Sequence, residues 1–178
     1  LTHEGEFYFD TTDNDGKPVK MYRYAAKQKV RRECEDSLRR LRTDYIDLLQ
    51  IHWPDSTTPI AETMNEVANL IKEGKVRAAG VCNYSAQQVE EALQTVNIVS
   101  NQVPYSMIHR QIEKEVVPQA IKRGIGILPY SPLQRGLLTG KITRNYKFGE
   151  GDTRPNSRYY KPDNIDRVNG MLSRIKPI

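Results

Sequence analysis

Apolar and polar positions follow two alternating patterns along most of the chain. Short, nearly continuous apolar runs of strand length occupy residues 45–52, 76–82, 98–103 and 125–130. In the segments between and after them, apolar residues recur every three or four positions, which is the period of an amphipathic helix. The predicted helices are 25–41, 58–74, 85–96, 112–123 and 163–175. Strands that alternate with helices predict parallel pairing with helical crossovers, and continuous apolar strands predict a sheet covered on both faces.

Several predicted helix ends carry residues that favour a start or a stop. Thr58 precedes Pro59, which predicts Thr58 as the N-cap and Pro59 as the first helical residue. Ser85 and Gln88 have the spacing of a capping box, and Gly74 is placed to end the second helix. We expect the buried stripes of the first and fourth helices to be Val30, Cys34, Ser37, Leu38 and Leu41, and Val116, Val117, Ala120 and Ile121.

Two stretches are rich in turn-forming residues. In residues 1–22, the triplet 14–16 (Asn-Asp-Gly) separates an aromatic run at 7–9 from a second apolar run at 19–22. An Asp-Gly pair between such runs predicts a β-hairpin, which we interpret as an excursion from a larger body. Residues 143–162 are predicted to form a long loop, and a loop of this length in a compact domain is usually functional.

The composition is that of a folded soluble protein. Hydrophobic residues make up 38% of the 178 residues and charged residues 28%, a balance that argues against a disordered chain. No apolar run approaches the roughly 18 residues of a membrane span, and no charged-then-apolar leader is visible. Cys34 and Cys82 lie far apart, without a metal-ligand or redox-motif neighbour. We therefore expect two reduced thiols, no metal site and a cytoplasmic location.

The net charge of +5 comes from one region of the chain. Residues 17–42 hold ten Lys or Arg against three acidic residues, whereas the rest of the chain is slightly acidic. The charges that pair at helical spacing are Arg31/Glu35, Arg32/Asp36, Glu35/Arg39 and Asp36/Arg40. This pairing is typical of a solvated helix face. Because aromatic residues are not interleaved with the arginines, we do not expect a nucleic-acid interface.

Two architectures fit the alternation of strands and helices: a doubly wound open sheet and a portion of a (β/α)8 barrel. No Gly-x-Gly-x-x-Gly follows a predicted strand, so the dinucleotide fingerprint of the open sheet is missing. A complete barrel typically needs about 250 residues, and 178 residues supply four predicted strands. The chain also starts without Met and stops without a cap. We expect an internal portion of one domain, inactive and aggregation-prone in isolation because a sheet edge is left unpaired.

Polar or aromatic residues follow each of the four predicted strands. The carboxyl ends of parallel strands meet at one rim, where α/β barrels place their working residues. The residues at these ends are His52, Trp53, Asn83, Gln102 and Tyr130. Each has a structural alternative: a hydrogen-bonded histidine, a turn asparagine, a satisfied amide or a packed tyrosine. Their recurrence in phase with the strands favours a shared functional site.

Four motifs, in order, resemble those of the aldo-keto reductase family, in the bacterial branch related to potassium-channel β subunits. They are LRTDYIDL with QIHWPD, KEGKVR with GVCNYS, NQVPYS, and YSPL with GLLTGK. The resemblance implies a (β/α)8 TIM barrel, of which residues 1–178 form one domain truncated at both ends. It also implies reduction of small aldehydes and ketones to alcohols with NADPH, NADH not being excluded.

The resemblance assigns a role to each matching residue. His52 is implied to orient the substrate carbonyl and to support the tyrosine that donates the proton, and Trp53 to line the substrate pocket. Asn83 and Gln102 are implied to bind the nicotinamide carboxamide, with Tyr130 stacked on the ring. Further cofactor contacts are implied for Cys82, Ser131, Pro132, Leu133, Gly136, Leu138, Lys141 and Arg154. Residues 143–162 are implied to cover the cofactor.

The sequence departs from the family pattern in two respects. Cys82 stands where many members have Ser, and a thiol is a weak hydrogen-bond donor. The family's catalytic Asp, Tyr and Lys are expected before Leu1, and the site that separates NADP from NAD after Ile178. A second function therefore stays open, that of a nucleotide-binding, redox-sensing regulatory subunit with weak or no catalysis. A third is a phosphate-binding barrel enzyme of another class.

Overall fold

The chain forms two compact units, each with its own hydrophobic core. The computed structural model describes residues 6–13 and 15–175. The first unit is Leu1–Val103 with Ile112–Leu128, and the second is Pro104–Gln111 with Pro129–Ile178. Within the described part, no helix combines the length and the apolar character that crossing a membrane requires.

All predicted strands and helices are present, with small shifts at their ends. The strands are β1 (Glu6–Thr12), β2 (Pro18–Arg23), β3 (Ile46–Ile51), β4 (Val76–Cys82), β5 (Ile98–Pro104) and β6 (Gly126–Tyr130). The helices are α1 (Lys27–Leu41), α2 (Ile60–Lys72), α3 (Ala86–Leu93), α4 (Val116–Arg123) and α5 (Pro162–Ile175). The segment predicted as the start of the fourth helix is instead a separate 3-10 turn at Gln111–Glu113.

The main sheet has the strand order β3-β4-β5-β6. Strand β4 pairs in parallel with β3, where Ile46 lies opposite Val76, and with β5, where Gly80 lies opposite Ser100. The predicted parallel sheet with helical crossovers is therefore confirmed. Neighbours in sequence are neighbours in the sheet, so the carboxyl ends of successive strands follow one another along one rim.

The predicted hairpin is also confirmed, since β1 and β2 pair antiparallel. Its turn is organised by Asp13, whose Oδ1 accepts the N–H groups of Asp15 and Lys17, both at 2.9 Å. Asn14, which belongs to the predicted turn, lies outside the described residues.

Helix ends agree with the prediction at two places and differ at one. Ser85 and Gln88 form the capping box reciprocally, with bonds of 3.2 Å and 2.9 Å, and Gly74 follows α2 with a φ of +76°. The prediction that Thr58 is the N-cap is wrong, because Pro59 occupies that position. The Thr58 hydroxyl instead donates to the carboxylate of Asp55 at 2.7 Å.

Two residues of the predicted buried stripes are exposed, which corrects the prediction. Leu41, the last residue of α1, is 67% exposed, and the buried side chains of that helix are Val30 and Cys34. Ile121 is 78% exposed because the buried face of the short helix α4 is centred on Ala120. The next position along a helix is turned about 100° away from that face.

The basic face of α1 is solvated, as predicted, and two of the four predicted pairs form, Arg31/Glu35 and Arg32/Asp36. The other two are wrong, because Asp36 pairs with Arg39 and Glu35 with Lys75. Arg31 lies 3.7 Å from Glu35 and also bonds two carboxylates on and after α2, those of Glu66 and Glu73. Glu35 bonds Lys75 at 2.8 Å. These charges tie α1 to α2 at the surface of the first unit, so the local excess of arginine has a structural explanation.

The second unit is built from turns around one helix. Its core contains Leu137, Ile142, Tyr160 and Ile165, all buried. The predicted long loop at 143–162 carries two short 3-10 turns, at Arg154–Asn156 and Arg158–Tyr160, before α5 begins. Because so little regular structure is present, side-chain hydrogen bonds decide the path of the chain there.

Candidate functional site

In the first unit, Asn83 joins the ends of three strands. Its backbone N–H donates to the carbonyl of Gln102 at 2.9 Å. Its side-chain Nδ2 lies 3.1 Å from both the carbonyl oxygen of His52 and the Sγ of Cys82. The sequence-predicted residues His52, Cys82, Asn83 and Gln102 are therefore brought together. The bond to Gln102 joins two backbone groups, whereas the bonds to His52 and Cys82 come from the Asn83 side chain.

Asn83 adopts a left-handed backbone conformation, with a φ of 62°. Asparagine tolerates this conformation better than most residues with a side chain. The turn that follows β4 therefore uses the conformational freedom of Asn83, while the same residue's amide bridges to β3. Asn83 therefore has the structural role that the sequence left open, and its backbone N–H also bonds the carbonyl of Gln102.

His52 is exposed, and the ring of Trp53 lies beside its imidazole. The two rings are tilted by 50°, with their centroids 6.0 Å apart. In the part of the chain that the structure describes, no hydrogen bond ties the imidazole to a protein group. The guanidinium of Arg23, at the end of β2, lies 4.1 Å from the centre of the Trp53 ring, a distance typical of a cation–π contact.

The segment after His52 is anchored by Asp55, which sequence analysis did not single out. Its carboxylate is 6% exposed and accepts hydrogen bonds from the backbone N–H of Ala25 and from Thr57 and Thr58, at 2.7–2.9 Å. Burial by itself raises the pKa of Asp55, but the hydrogen bonds outweigh it and the pKa is lowered. Asp55 therefore stays ionised and fixes the chain that carries Trp53.

Cys82 is buried at the same rim. Its thiol is 3% exposed and lies next to the donating amide of Asn83. Burial raises the pKa of Cys82, so the thiol form prevails at neutral pH. Cys82 serves here as a hydrogen-bond acceptor that orients Asn83, which is a role that a serine hydroxyl would also fill.

In the second unit, Tyr130 leads into a loop with an unusual backbone. The carbonyl of Tyr130 accepts the N–H of Tyr105 at 3.2 Å. The residues with left-handed backbone are Ser131 (φ 55°), Gln134 (φ 47°), Arg135 (φ 50°) and Gly136 (φ 96°). Backbone of this kind is costly for residues with a Cβ, and it clusters at ligand sites.

The other predicted cofactor residues of this unit lie along the same loop. Pro132, Leu133 and Lys141 are exposed, whereas Leu138 is buried in the second core. Leu138 therefore supports the loop from within.

Arg154 is held by its own neighbour. It is bound through two nitrogens to Asp152, with the Nη2–Oδ2 pair at 2.6 Å. The hydrogen bonds from Arg154 lower the pKa of Asp152. Nη1 of Arg154 donates to the carbonyl of Arg135 at 3.3 Å. A second contact to the loop, missed from the sequence, is made by Tyr160, whose hydroxyl lies 2.5 Å from the carbonyl oxygen of Gln134.

Comparison with known proteins shows the family to which the chain belongs. Residues 16–173 match the family model described as aldo/keto reductase family. The chain is 41% identical over 149 residues to aldo-keto reductase YhdN of Bacillus subtilis (strain 168), covering 83% of this chain and 45% of the relative. It is 38% identical over 161 residues to the NADH-specific methylglyoxal reductase of Escherichia coli (strain K12), covering 89% and 49%.

A solved structure extends the similarity to three dimensions. The glycerol dehydrogenase AKR11B4 from Gluconobacter oxydans superposes with a TM-score of 0.88 at 34% identity, covering 96% of this chain and 52% of that one. The chain spans about half the length of these relatives. It belongs to the aldo-keto reductase family, as an incomplete portion of the family's (β/α)8 barrel with four parallel strands.

Proposed function

We propose that the full-length protein carrying this chain reduces aldehydes or ketones to alcohols by hydride transfer from a nicotinamide cofactor. The observation that carries the proposal is the Asn83 junction, which gathers His52, Cys82 and Gln102 at one rim. Hydride transfer depends chiefly on holding two reacting groups in register. A rim whose backbone is fixed at the strand ends suits that task.

His52 acts on the substrate in this proposal. The carbonyl oxygen gains negative charge as hydride arrives, so a donor directed at it stabilises the transition state. The imidazole is exposed and not committed to a described protein group, which supports this role over a structural one. Trp53, held under Arg23, forms an apolar wall for the substrate.

The amides of Asn83 and Gln102 match the donors and acceptors of a carboxamide, and Tyr130 offers a flat face to a nicotinamide ring. In the second unit, the left-handed backbone at Ser131 and at 134–136 is of the type that forms anion-binding concavities. Arg135 and Lys141 form no ion pair with a carboxylate among the described residues, so they suit a diphosphate. The bound cofactor would supply the hydride.

NADPH is the proposed cofactor, and NADH is the alternative to be measured beside it. The Escherichia coli relative is described as NADH-specific. A cytoplasmic location is part of the proposal, supported by the two buried free thiols Cys34 and Cys82.

The experiment is a turnover assay on the full-length protein. Small aldehydes, 2-oxoaldehydes and ketones are each supplied with NADPH and with NADH, and oxidation of the cofactor is followed by its absorbance. We expect turnover with at least one aldehyde. Tight cofactor binding without turnover of any carbonyl compound would refute the reductase and favour the regulatory subunit. Absence of cofactor binding would refute both.

A further inference from the structure

Two adjacent residues of the nucleotide loop, defined here as residues 131–141, hold a backbone conformation that their sequence does not favour. Gln134 and Arg135 have φ values of 47° and 50°. Neither is glycine, asparagine or aspartate, the residues that enter this region readily. Such backbone persists only where the surrounding structure holds it. Two side chains bond the backbone at this point.

The first is Tyr160. Its side chain is 4% exposed, and its hydroxyl lies 2.5 Å from the carbonyl oxygen of Gln134 and 3.1 Å from that of Arg135. The single hydroxyl proton is thus shared between two successive carbonyls. A buried hydroxyl that bridges both carbonyls fixes the orientation of the two peptide groups that the left-handed residues create.

The second is Arg154, which reaches the same carbonyl of Arg135 through Nη1 at 3.3 Å. Asp152 fixes its guanidinium with bonds to Nε and Nη2. The loop is also tied at the side chain of Gln134, whose Oε1 accepts the hydroxyl of Ser106 at 2.9 Å. The side chains of Tyr160, Arg154 and Ser106 therefore all bond Gln134 or Arg135.

We propose that Tyr160 and Arg154 form a clasp that holds the nucleotide loop in its binding conformation before the cofactor arrives. The clasp rests on the proposed function, because the loop is taken to receive the cofactor's diphosphate. A loop ordered in advance loses less conformational entropy on binding, so affinity rises. Tyr160 and Arg154 are both positioning residues, and the charge of Arg154 is already balanced by that of Asp152. Arg135 and Lys141 then supply the positive charge for the diphosphate.

The test uses Tyr160→Phe in the full-length protein, with Tyr159→Phe as the matched control. Tyr159 is the neighbouring tyrosine, and its hydroxyl instead lies 2.8 Å from Nδ1 of His109. We expect Tyr160→Phe to raise the cofactor dissociation constant, measured by fluorescence titration, about tenfold, the scale of one lost buried hydrogen bond. The KM for cofactor rises with it, while kcat at saturating cofactor stays near that of the parent. Tyr159→Phe changes neither.

A second variant, Asp152→Asn, separates the clasp from a direct phosphate contact. If Arg154 bound phosphate itself, removal of the competing carboxylate would strengthen cofactor binding. If Arg154 instead positions the loop, loss of the carboxylate that fixes its guanidinium weakens cofactor binding. We expect about a threefold rise in the cofactor dissociation constant. If Tyr160→Phe fails to fold, Asp152→Asn still tests the clasp.

The outcomes distinguish the clasp from the function on which it rests. A parent protein that binds neither NADPH nor NADH refutes the proposed function. A parent that binds cofactor, with Tyr160→Phe binding equally well or Asp152→Asn binding more tightly, overturns the clasp and leaves the function standing. A fall in melting temperature with unchanged cofactor affinity also overturns it, since a merely structural tyrosine would give that result.

Discussion

The rim of the first unit and the nucleotide loop of the second are held by different kinds of bond. At the rim, the register of the parallel strands sets the positions, with Cys82 opposite Gln102 and the N–H of Asn83 bonded to the next strand. In the loop, the backbone is bonded by the side chains of Tyr160 and Arg154, which come 26 and 19 residues after their partners Gln134 and Arg135.

The difference determines which substitutions impair function. A ladder of backbone hydrogen bonds does not depend on side-chain identity, so the rim loses function chiefly when a working side chain is itself replaced. The loop depends on individual side chains, so function can be lost through a residue that never touches the ligand.

Replacing His52 by Ala should lower kcat of the full-length protein by about 100-fold, the scale of losing one donor to a developing oxyanion. The cofactor dissociation constant should stay within about twofold of the parent, because the rim's backbone bonds are unchanged. Steady-state kinetics and a binding titration measure the two quantities. A His52→Ala variant that loses cofactor affinity to the same degree would show that the rim is not fixed independently of its side chains.

Replacing Gly80 by Ala should lower the free energy of unfolding by about 1–3 kcal/mol, as for other overpacked interiors. An added Cβ would press on the hydroxyl of Ser100 and approach Cγ of Gln50 to 3.1 Å. Gly126→Ala is the matched control in β6 of the same sheet, since its Cβ would meet only the carbonyl of Val99 at 3.5 Å. Urea denaturation measures both. Equal stability of the two variants would contradict the close strand packing on which the rim depends.

Replacing Asp55 by Asn tests the anchor beside the rim. The pKa of Asp55 is lowered in the folded protein, so its stabilisation is fully present above the ordinary value of about 3.9 and is lost as the pH falls through the folded value. We expect the free energy of unfolding of the parent to exceed that of the variant by about 1 kcal/mol at neutral pH. This difference should shrink below about pH 4.

Thermal melts across a pH series measure that difference. Asp47→Asn is the control, because Asp47 pairs with Arg77 at a site where both side chains are mostly exposed, and such pairs contribute little. A difference between the parent and the Asp55 variant that is independent of pH would contradict an ionised, hydrogen-bonded carboxylate.

Local patterns predicted most of the fold. Strand runs, helix periods and the capping box at Ser85 depend on residues within a few positions of one another, so the sequence displays them directly. The contacts of Asp55 with Ala25 and of Tyr160 with Gln134 span 30 and 26 residues. Each ends on a backbone group that every residue provides, so no residue type marks the partner.

Two of the errors in the predicted helices have a related cause. Thr58 has the residue type of an N-cap, but Asp55 competes for its hydroxyl from three residues away. Ile121 lies on an apolar period whose phase is decided by the tertiary packing of Ala120. Periodicity predicts that a helix is amphipathic, and packing decides which edge of the apolar face is covered.

The parallel pairing of β3, β4 and β5 has a consequence for how the chain acquires its structure during synthesis. Ile46 and Val76 are 30 positions apart, and Gly80 and Ser100 are 20. Each strand can thus find its partner soon after one helical crossover has left the ribosome, and loop closure over such lengths costs little more than over shorter ones. Pairing over such separations allows the chain to be extended by one βα step at a time during synthesis, since each new strand pairs with the strand before it.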